Sequence, residues 1–380
     1  MLPGGTHVLF TAVGTPGPNA ATIEVVSVAD GSRTVLHRGG TFGRYLEGGY
    51  LTFVNQGTLF AVPMDLARLA AGGTPVAVLN EVAYSSTFGF AHLDISRTGT
   101  LVYRRRGLVV ASVIDTAGGI EPLLPEPGDY TFPRVSPDGR RLAITVTESG
   151  RHGTLIYDDT TSTLVRLPAD SGNYSPTWSP DGAFLVTGGS TGLHWTATAT
   201  LDTVMPLLPG EQVRIPWSFT PDGSRLAYHE LSPSTGFDLW AVPIHISDGT
   251  LSAGTPEPLV RTRAFETYPS FSHDGRWLAY TSGEQGRWDI YVRAYPDDGG
   301  PVVRVSNGGG RIPRWLPGGG QLLYRSDDHR LMVARYTVER GAFVVGDTAL
   351  WTPAQLADTG VLSNFDVRPD GRVVGLVPPS

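Results

Sequence analysis

The 380-residue chain is predicted to be all-β, a single β-propeller of four-stranded antiparallel blades, and three observations carry that prediction. The turn Pro-Asp-Gly recurs at Pro137-Asp138-Gly139, Pro180-Asp181-Gly182, Pro221-Asp222-Gly223 and Pro369-Asp370-Gly371, with His273-Asp274-Gly275 as a variant. Successive copies lie roughly 40 to 50 residues apart, the period of stacked four-stranded units. Each copy has an apolar residue two positions before its start (Val135, Trp178, Phe219, Phe271, Val367) and an alternating apolar stretch after it, such as Trp277-Leu278-Ala279-Tyr280.

The turn explains the hairpin. Asp-Gly is expected to supply positive φ, and proline, lacking an N–H, sits where the ladder has ended. Degenerate copies at Pro3-Gly4-Gly5, Glu47-Gly48-Gly49, Arg97-Thr98-Gly99 and Pro317-Gly318-Gly319 extend the series from end to end. The segment Met1 to Phe10 has neither a basic start nor a long apolar core, so it reads as a repeat already under way and not as a signal peptide. Its missing inner strand is expected from the far end, where Ser363 to Val377 offers a spare hairpin, because an open sheet edge invites aggregation. The resulting domain is 1–380, with blades at approximately 1–39 with 362–380, 40–83, 84–128, 129–171, 172–210, 211–264, 265–309 and 310–361. Eight blades are expected, with seven as the alternative.

Composition narrows function little. The net charge of −7 and the absence of a basic stripe argue against nucleic acid as a partner. No apolar run reaches the roughly 18 residues of a membrane span. Cysteine is absent, so disulfides and thiolate metal sites are excluded.

The repeat Tyr268-Pro269-Ser270-Phe271-Ser272-His273-Asp274-Gly275-Arg276-Trp277, followed by Trp288-Asp289-Ile290-Tyr291-Val292, resembles the blades of TolB-like, WD40-like β-propellers. The order of variant blades is similar to the propeller region of bacterial membrane-anchored serine/threonine kinases, on Gly57 to Asp65, Gly236 to Pro243 and Ser306 to Trp315. The glycine-rich loop, lysine and His-Arg-Asp loop of the kinase domain are absent from this sequence. The resemblance implies a sensory or binding propeller, placed outside the cytoplasm in a longer parent.

Candidate chemistry is sought where inner strands face the central channel. The position three before each turn gives Arg44, Asp94, Arg134, Thr177, Ser218, Ser270, Arg314 and Asp366. In spatial order one arc reads Arg314, Asp366, Arg44, Asp94, Arg134, with alternating charge. These are expected to clamp neighbouring strands, or to form a polar floor on which Arg44, Arg134, Ser270 and Arg314 grip a small anionic ligand. A protein partner on the rim loops is the other binding reading.

The alternative class is a metal-dependent hydrolase of esters, lactones or phosphotriesters. His92 and Asn364, two residues before Asp94 and Asp366, would with Glu266 supply the oxygen and imidazole donors of a Ca²⁺ or Zn²⁺ site, and His92, Asp94 and Asp366 are the catalytic candidates. Gly188-Gly189-Ser190-Thr191-Gly192 matches Gly-x-Ser-x-Gly formally, but Leu193 to Thr198 reads as a strand where the nucleophile elbow requires a helix. Trp195, Trp288 and Trp351 lie outside the aromatic register and would mark a rim surface if exposed.

Overall fold

The recurring turn is built the same way at three of the four Pro-Asp-Gly copies and at His273-Asp274-Gly275, while Asp370, with Arg368 in place of the serine or threonine, keeps only the bond to the N–H two residues on. In the computed structural model, which describes residues 1–12, 21–84, 90–96, 99–105, 107–148, 151–168 and 174–379, Ser136 Oγ donates to Asp138 Oδ1 at 2.5 Å, and that oxygen accepts the Arg140 N–H at 3.1 Å. Ser179 with Asp181, Thr220 with Asp222 and Ser272 with Asp274 repeat the arrangement. The glycine N–H closes the turn, Gly139 onto Ser136 O at 2.8 Å, and the glycine alone is left-handed, at φ 74 for Gly139 and 70 for Gly182. The aspartates therefore do not share the positive φ expected of them. Each spends its carboxylate on capping an N–H two residues on, so proline opens a type I turn and glycine ends it. The expected turn at Arg97-Thr98-Gly99 has its first two residues outside the described ones.

The chain divides into two compact units, Met1–Gly107 and Leu108–Ser380. In the second, the inner strands Tyr130–Val135, Tyr174–Trp178, Arg214–Phe219, Glu266–Phe271, Arg311–Trp315 and Phe365–Val367 each touch the next, and the last touches the first, so six blades close a ring. Each of the first five begins an antiparallel blade running outward, such as Tyr130–Val135, Arg141–Glu148, Arg151–Asp158 and Thr163–Arg166. The sixth is composite. Phe365–Val367 and Val373–Val377 come from the end of the unit, and Val110–Ile114 and Ile120–Pro122 from its beginning.

That pairing corrects the expected closure. Val373–Val377 lies against Val110–Ile114, with Val110 opposite Val377 and Ile114 opposite Val373, not against the N-terminal segment. Both strands are apolar along most of their length, and every residue of Val373–Val377 is buried, so the hairpin goes to the partner that covers both faces. The eight blades expected of the whole chain, or seven, give way to a ring of six within 108–380, and the segment 84–128 is split between the units.

The first unit contains a three-stranded sheet (His7–Ala12, Thr22–Ser27, Arg33–Arg38), a five-stranded sheet (Thr41–Leu46, Tyr50–Asn55, Thr58–Asp65, Ala70–Ala71, Val76–Leu79) and the hairpin Leu93–Ile95 with Leu101–Tyr103. Ile23, Leu51, Phe53 and Val62 join the first two sheets, and Val54, Leu59, Val82 and Leu93 the second and third. No helix among the described residues is long and apolar enough to cross a membrane.

Candidate anion site in the channel

Inner strands of the ring share a bulge that aims their channel residues. Phe132, Ser175, Tyr268 and Ile312 stand at φ 51 to 60, each followed by proline and then by Arg134, Thr177, Ser270 or Arg314, and the ladder slips by one residue across the pair. Left-handed backbone costs a non-glycine residue about 1 kcal/mol or more, so it persists only because the packed strands on both sides impose it. The strand Arg214–Phe219 differs. Pro216 occupies the equivalent of the left-handed place, and a proline cannot take positive φ. The slip falls instead between Pro216 and Ser218, leaving Trp217 unpaired in the ladder.

Trp217 thereby becomes the floor of the channel. Its ring meets Tyr268 edge-on at 4.8 Å and Phe132 at 5.8 Å, and its Nε1–H donates to His229 Nδ1 at 3.2 Å. Beyond these aromatics, the segment 356–363 crosses the ring. Tyr268 Oη donates to Val361 O, the Phe132 N–H to Ser363 O at 2.8 Å, and Arg325 Nη2 to Gly360 O at 2.8 Å. The end away from the Pro-Asp-Gly turns is thus filled, and the channel is a blind cavity of about 510 Å³ open toward the turns.

Two guanidinium groups lie over Trp217, Arg134 at 5.2 Å and Arg314 at 5.6 Å from its ring centroid. Both face one carboxylate. Asp366 Oδ1 accepts from Arg314 Nε at 3.0 Å and stands 3.6 Å from Arg134 Nη1, while Oδ2 accepts the Val135 N–H at 2.9 Å. All three residues are buried, at 6%, 5% and 8% exposure for Arg134, Arg314 and Asp366. Arg134 Nη2 and Arg314 Nη1 donate to the Trp217 and Pro313 carbonyls, and Arg134 Nε and Arg314 Nη2 have no acceptor. One positive charge is left over in a desolvated setting. Burial, and then the charge of Arg314, pull the Arg134 pKa down to about 9 against the opposing pull of Asp366, and burial lowers that of Arg314.

The remaining candidates separate. Ser270 lines the same cavity, as do Thr177 and Ser218. Arg44 and Asp94 belong to the other unit, where they form an exposed pair at 3.9 Å, and His92 packs there against Phe90. The five-membered charged arc is therefore two groups, Arg314–Asp366–Arg134 and Arg44–Asp94. Asn364 is fully buried and its Nδ2 donates to Ala357 O at 2.8 Å. Glu266 is also fully buried at the start of its strand, where it accepts the Thr262 hydroxyl, and burial followed by the nearby carboxylates of Asp238 and Glu284 pushes its pKa up to about 7. Among the described residues, no group of three or more His, Asp and Glu side chains is arranged to hold a metal ion, so of the expected donors His92, Asp94, Asn364, Asp366 and Glu266, the four His, Asp and Glu side chains are not gathered. Ser190 lies in the connection between the strands Phe184–Gly189 and Gly192–Ala197, with no helix after it. Trp195 and Trp351 are buried and Trp288 is half-buried.

Sequence reasoning missed Trp217 as a channel residue. The signal was present in Ile215-Pro216-Trp217-Ser218-Phe219, where proline stands one position earlier than in Tyr268-Pro269-Ser270-Phe271.

No family model matches the chain. It is 35% identical over 63 residues to the Tol-Pal system protein TolB of Desulfosudis oleivorans, a match covering 17% of this chain and only 14% of that protein. Among solved structures, a protein from Agrobacterium tumefaciens assigned as TolB superposes with a TM-score of 0.50 at 17% identity, over 72% of this chain and 100% of that one. TolB from Acinetobacter baumannii gives a TM-score of 0.43 at 14% identity, over 91% of this chain and 81% of that one. What the Agrobacterium tumefaciens structure and this chain have in common is the TolB-like β-propeller fold.

Proposed function

We propose that the ring of 108–380 is a non-catalytic ligand-binding propeller whose channel takes a small organic anion. The observation that carries this reading is the charge count on the channel floor, where Arg134 and Arg314, both buried, share the single carboxylate of Asp366. An anion entering the cavity would compensate the remaining charge where the low dielectric makes it count. The wall supplies hydroxyls from Thr177, Ser218 and Ser270 and apolar area from Trp178, Phe219 and Trp315, the mixture a small-molecule pocket needs. The resemblance of the repeat to kinase-attached propellers supports a sensory use of such a site. The hydrolytic alternative has no comparable support in the way the described side chains are arranged.

Calorimetric titration with short carboxylates tests the reading. Binding is expected at millimolar or lower concentration, weakening by at least about ten-fold in Arg314→Gln. Absence of binding, or binding indifferent to Arg314→Gln, overturns it.

A further inference from the structure

The mouth of the channel carries an asymmetry. Six turns line it, and their first residues are Pro137, Pro180, Pro221, His273, Pro317 and Pro369. The five prolines offer no donor of any kind. Among these six first residues only His273 has a polar side chain, and Arg368, which also lines the cavity just before the last turn, is paired with Asp159 and Asp370. The turns also pack differently. A Cβ on Gly139, Gly182, Gly223 or Gly275 would touch the proline of the neighbouring turn at 3.3 to 3.8 Å, whereas one on Gly319, in the turn that follows His273, or on Gly371, in the turn after that, would meet nothing within 4 Å. Four junctions are closed by proline against glycine, and the two on either side of the Pro317 turn, one of them beside His273, are open.

Resting on the anion-site reading above, we infer that His273 is a specificity-determining residue, and that the channel's ligand is an elongated organic acid with its anionic end over Arg134 and Arg314 and a second oxygen-bearing group at the imidazole of His273. The three residues from Ser270 to His273 correspond to about 10 Å of extended strand, which sets the distance a ligand must span between floor and mouth. A cavity of about 510 Å³ holds a chain of that length. Surrounding protein lowers the His273 pKa, with Asp274 opposing, which favours the neutral ring, whose one N–H can donate to an oxygen acceptor.

Adipate and hexanoate provide the comparison, being equal in length but differing in the far carboxylate. Wild-type protein is expected to bind adipate at least about ten-fold more tightly than hexanoate. In His273→Pro, which installs the residue found at the other five turns, and in His273→Phe, which keeps a ring without its donors, that ratio is expected to fall to about two-fold while hexanoate affinity stays unchanged. A wild-type ratio near one, or a ratio unaltered by both variants, overturns the role of His273. The Arg314→Gln variant separates the two claims. If the ratio is near one or unaltered in the His273 variants while both acids bind and both depend on Arg314, only the inference about His273 fails; if neither acid binds wild-type protein, the anion site fails and His273 with it.

Discussion

The two units place an arginine at the same point of the same bulge and treat it differently. In 1–107, Arg44 follows the left-handed Phe42 and its guanidinium lies 4.9 Å from that ring, with Asp94 at 3.9 Å and side-chain exposures of 51% and 81%. In 108–380, Arg134 and Arg314 follow Phe132 and Ile312 in the same way, but six inner strands in a closed ring bury them with Asp366. The repeat determines where the side chain emerges, and closure of the ring determines whether water follows it. A charge pair is worth little on an open strand, whereas inside the ring the loss of one partner leaves a desolvated charge uncompensated. The comparison is experimentally separable, because all eight tryptophans lie at or beyond Trp178 and their fluorescence reports the second unit alone.

Removal of the shared carboxylate should give the largest effect. Asp366→Ala leaves two buried guanidiniums facing each other without a counter-charge, and the Val135 N–H without its acceptor. A loss of about 3–5 kcal/mol is expected in urea unfolding followed by tryptophan fluorescence. Loss of less than about 1 kcal/mol would mean that water reaches the floor of the channel and that the contrast between the units is only apparent.

His229, which holds the Trp217 indole beneath those arginines, makes the burial visible as pH dependence. Burial brings its pKa down to about 3 from the ordinary 6.5, so the folded protein keeps the ring neutral while the unfolded chain takes up a proton. Stability from this source is therefore complete above pH 6.5 and declines as pH falls from there toward 3, at a limiting slope of about 1.4 kcal/mol per pH unit. Glu266 works in the opposite sense. Its folded pKa of about 7 lies above the ordinary 4.5, so its contribution is present below pH 4.5 and is lost as pH rises to 7. Between pH 4.5 and 6.5 the two slopes oppose and largely cancel. Unfolding free energies measured from pH 4 to 8 should therefore fall with rising pH between 4.5 and 7 in His229→Gln, where only Glu266 remains, and rise with pH up to 6.5 in Glu266→Gln, where only His229 remains. A profile unchanged by His229→Gln would show that this histidine is hydrated in the native state.

How much of this was legible follows from which forces are local. The hairpins were readable because a turn is local chemistry, and the hydrogen bonds that close Ser136-Pro137-Asp138-Gly139 lie within the six residues from Ser136 to Arg141. Trp178, Phe219, Phe271 and Trp315 were readable as inter-blade core from their register, and each is buried. Closure was not readable, since the choice of Val110–Ile114 as partner for Val373–Val377 is settled by burial across some 260 residues of chain, to which a repeat period is blind. The charged arc failed for the same reason. Aligned positions put Arg314 beside Asp366 but set Arg44 and Asp94 between Asp366 and Arg134, because the last blade was placed against the first.

If local and tertiary effects divide in this way, a turn glycine should cost the same in either unit. Gly182 (φ 70) and Gly49 (φ 81) both have room for a Cβ, the nearest atoms lying at 3.7 Å. Alanine at either place meets only the backbone penalty, about 1–2 kcal/mol. Circular dichroism follows both units and should register similar losses for Gly182→Ala and Gly49→Ala. Unequal losses would locate the difference between the units in the hairpins themselves instead of in the ring.

The smallest effect is the most exacting test. Asp94→Asn removes the only carboxylate that Arg44 approaches within 4.0 Å among the described residues, the counterpart of the Asp366 change by position in the repeat. Both side chains are largely in water, where a pair at this distance contributes a few tenths of a kcal/mol and is screened by salt. Unfolding monitored by circular dichroism should shift by no more than about 0.5 kcal/mol, and the shift should vanish by 0.5 M NaCl. A loss of 2 kcal/mol or more, insensitive to salt, would require Arg44 and Asp94 to be buried in solution, and the first unit would then have to be covered as the channel of the second is covered.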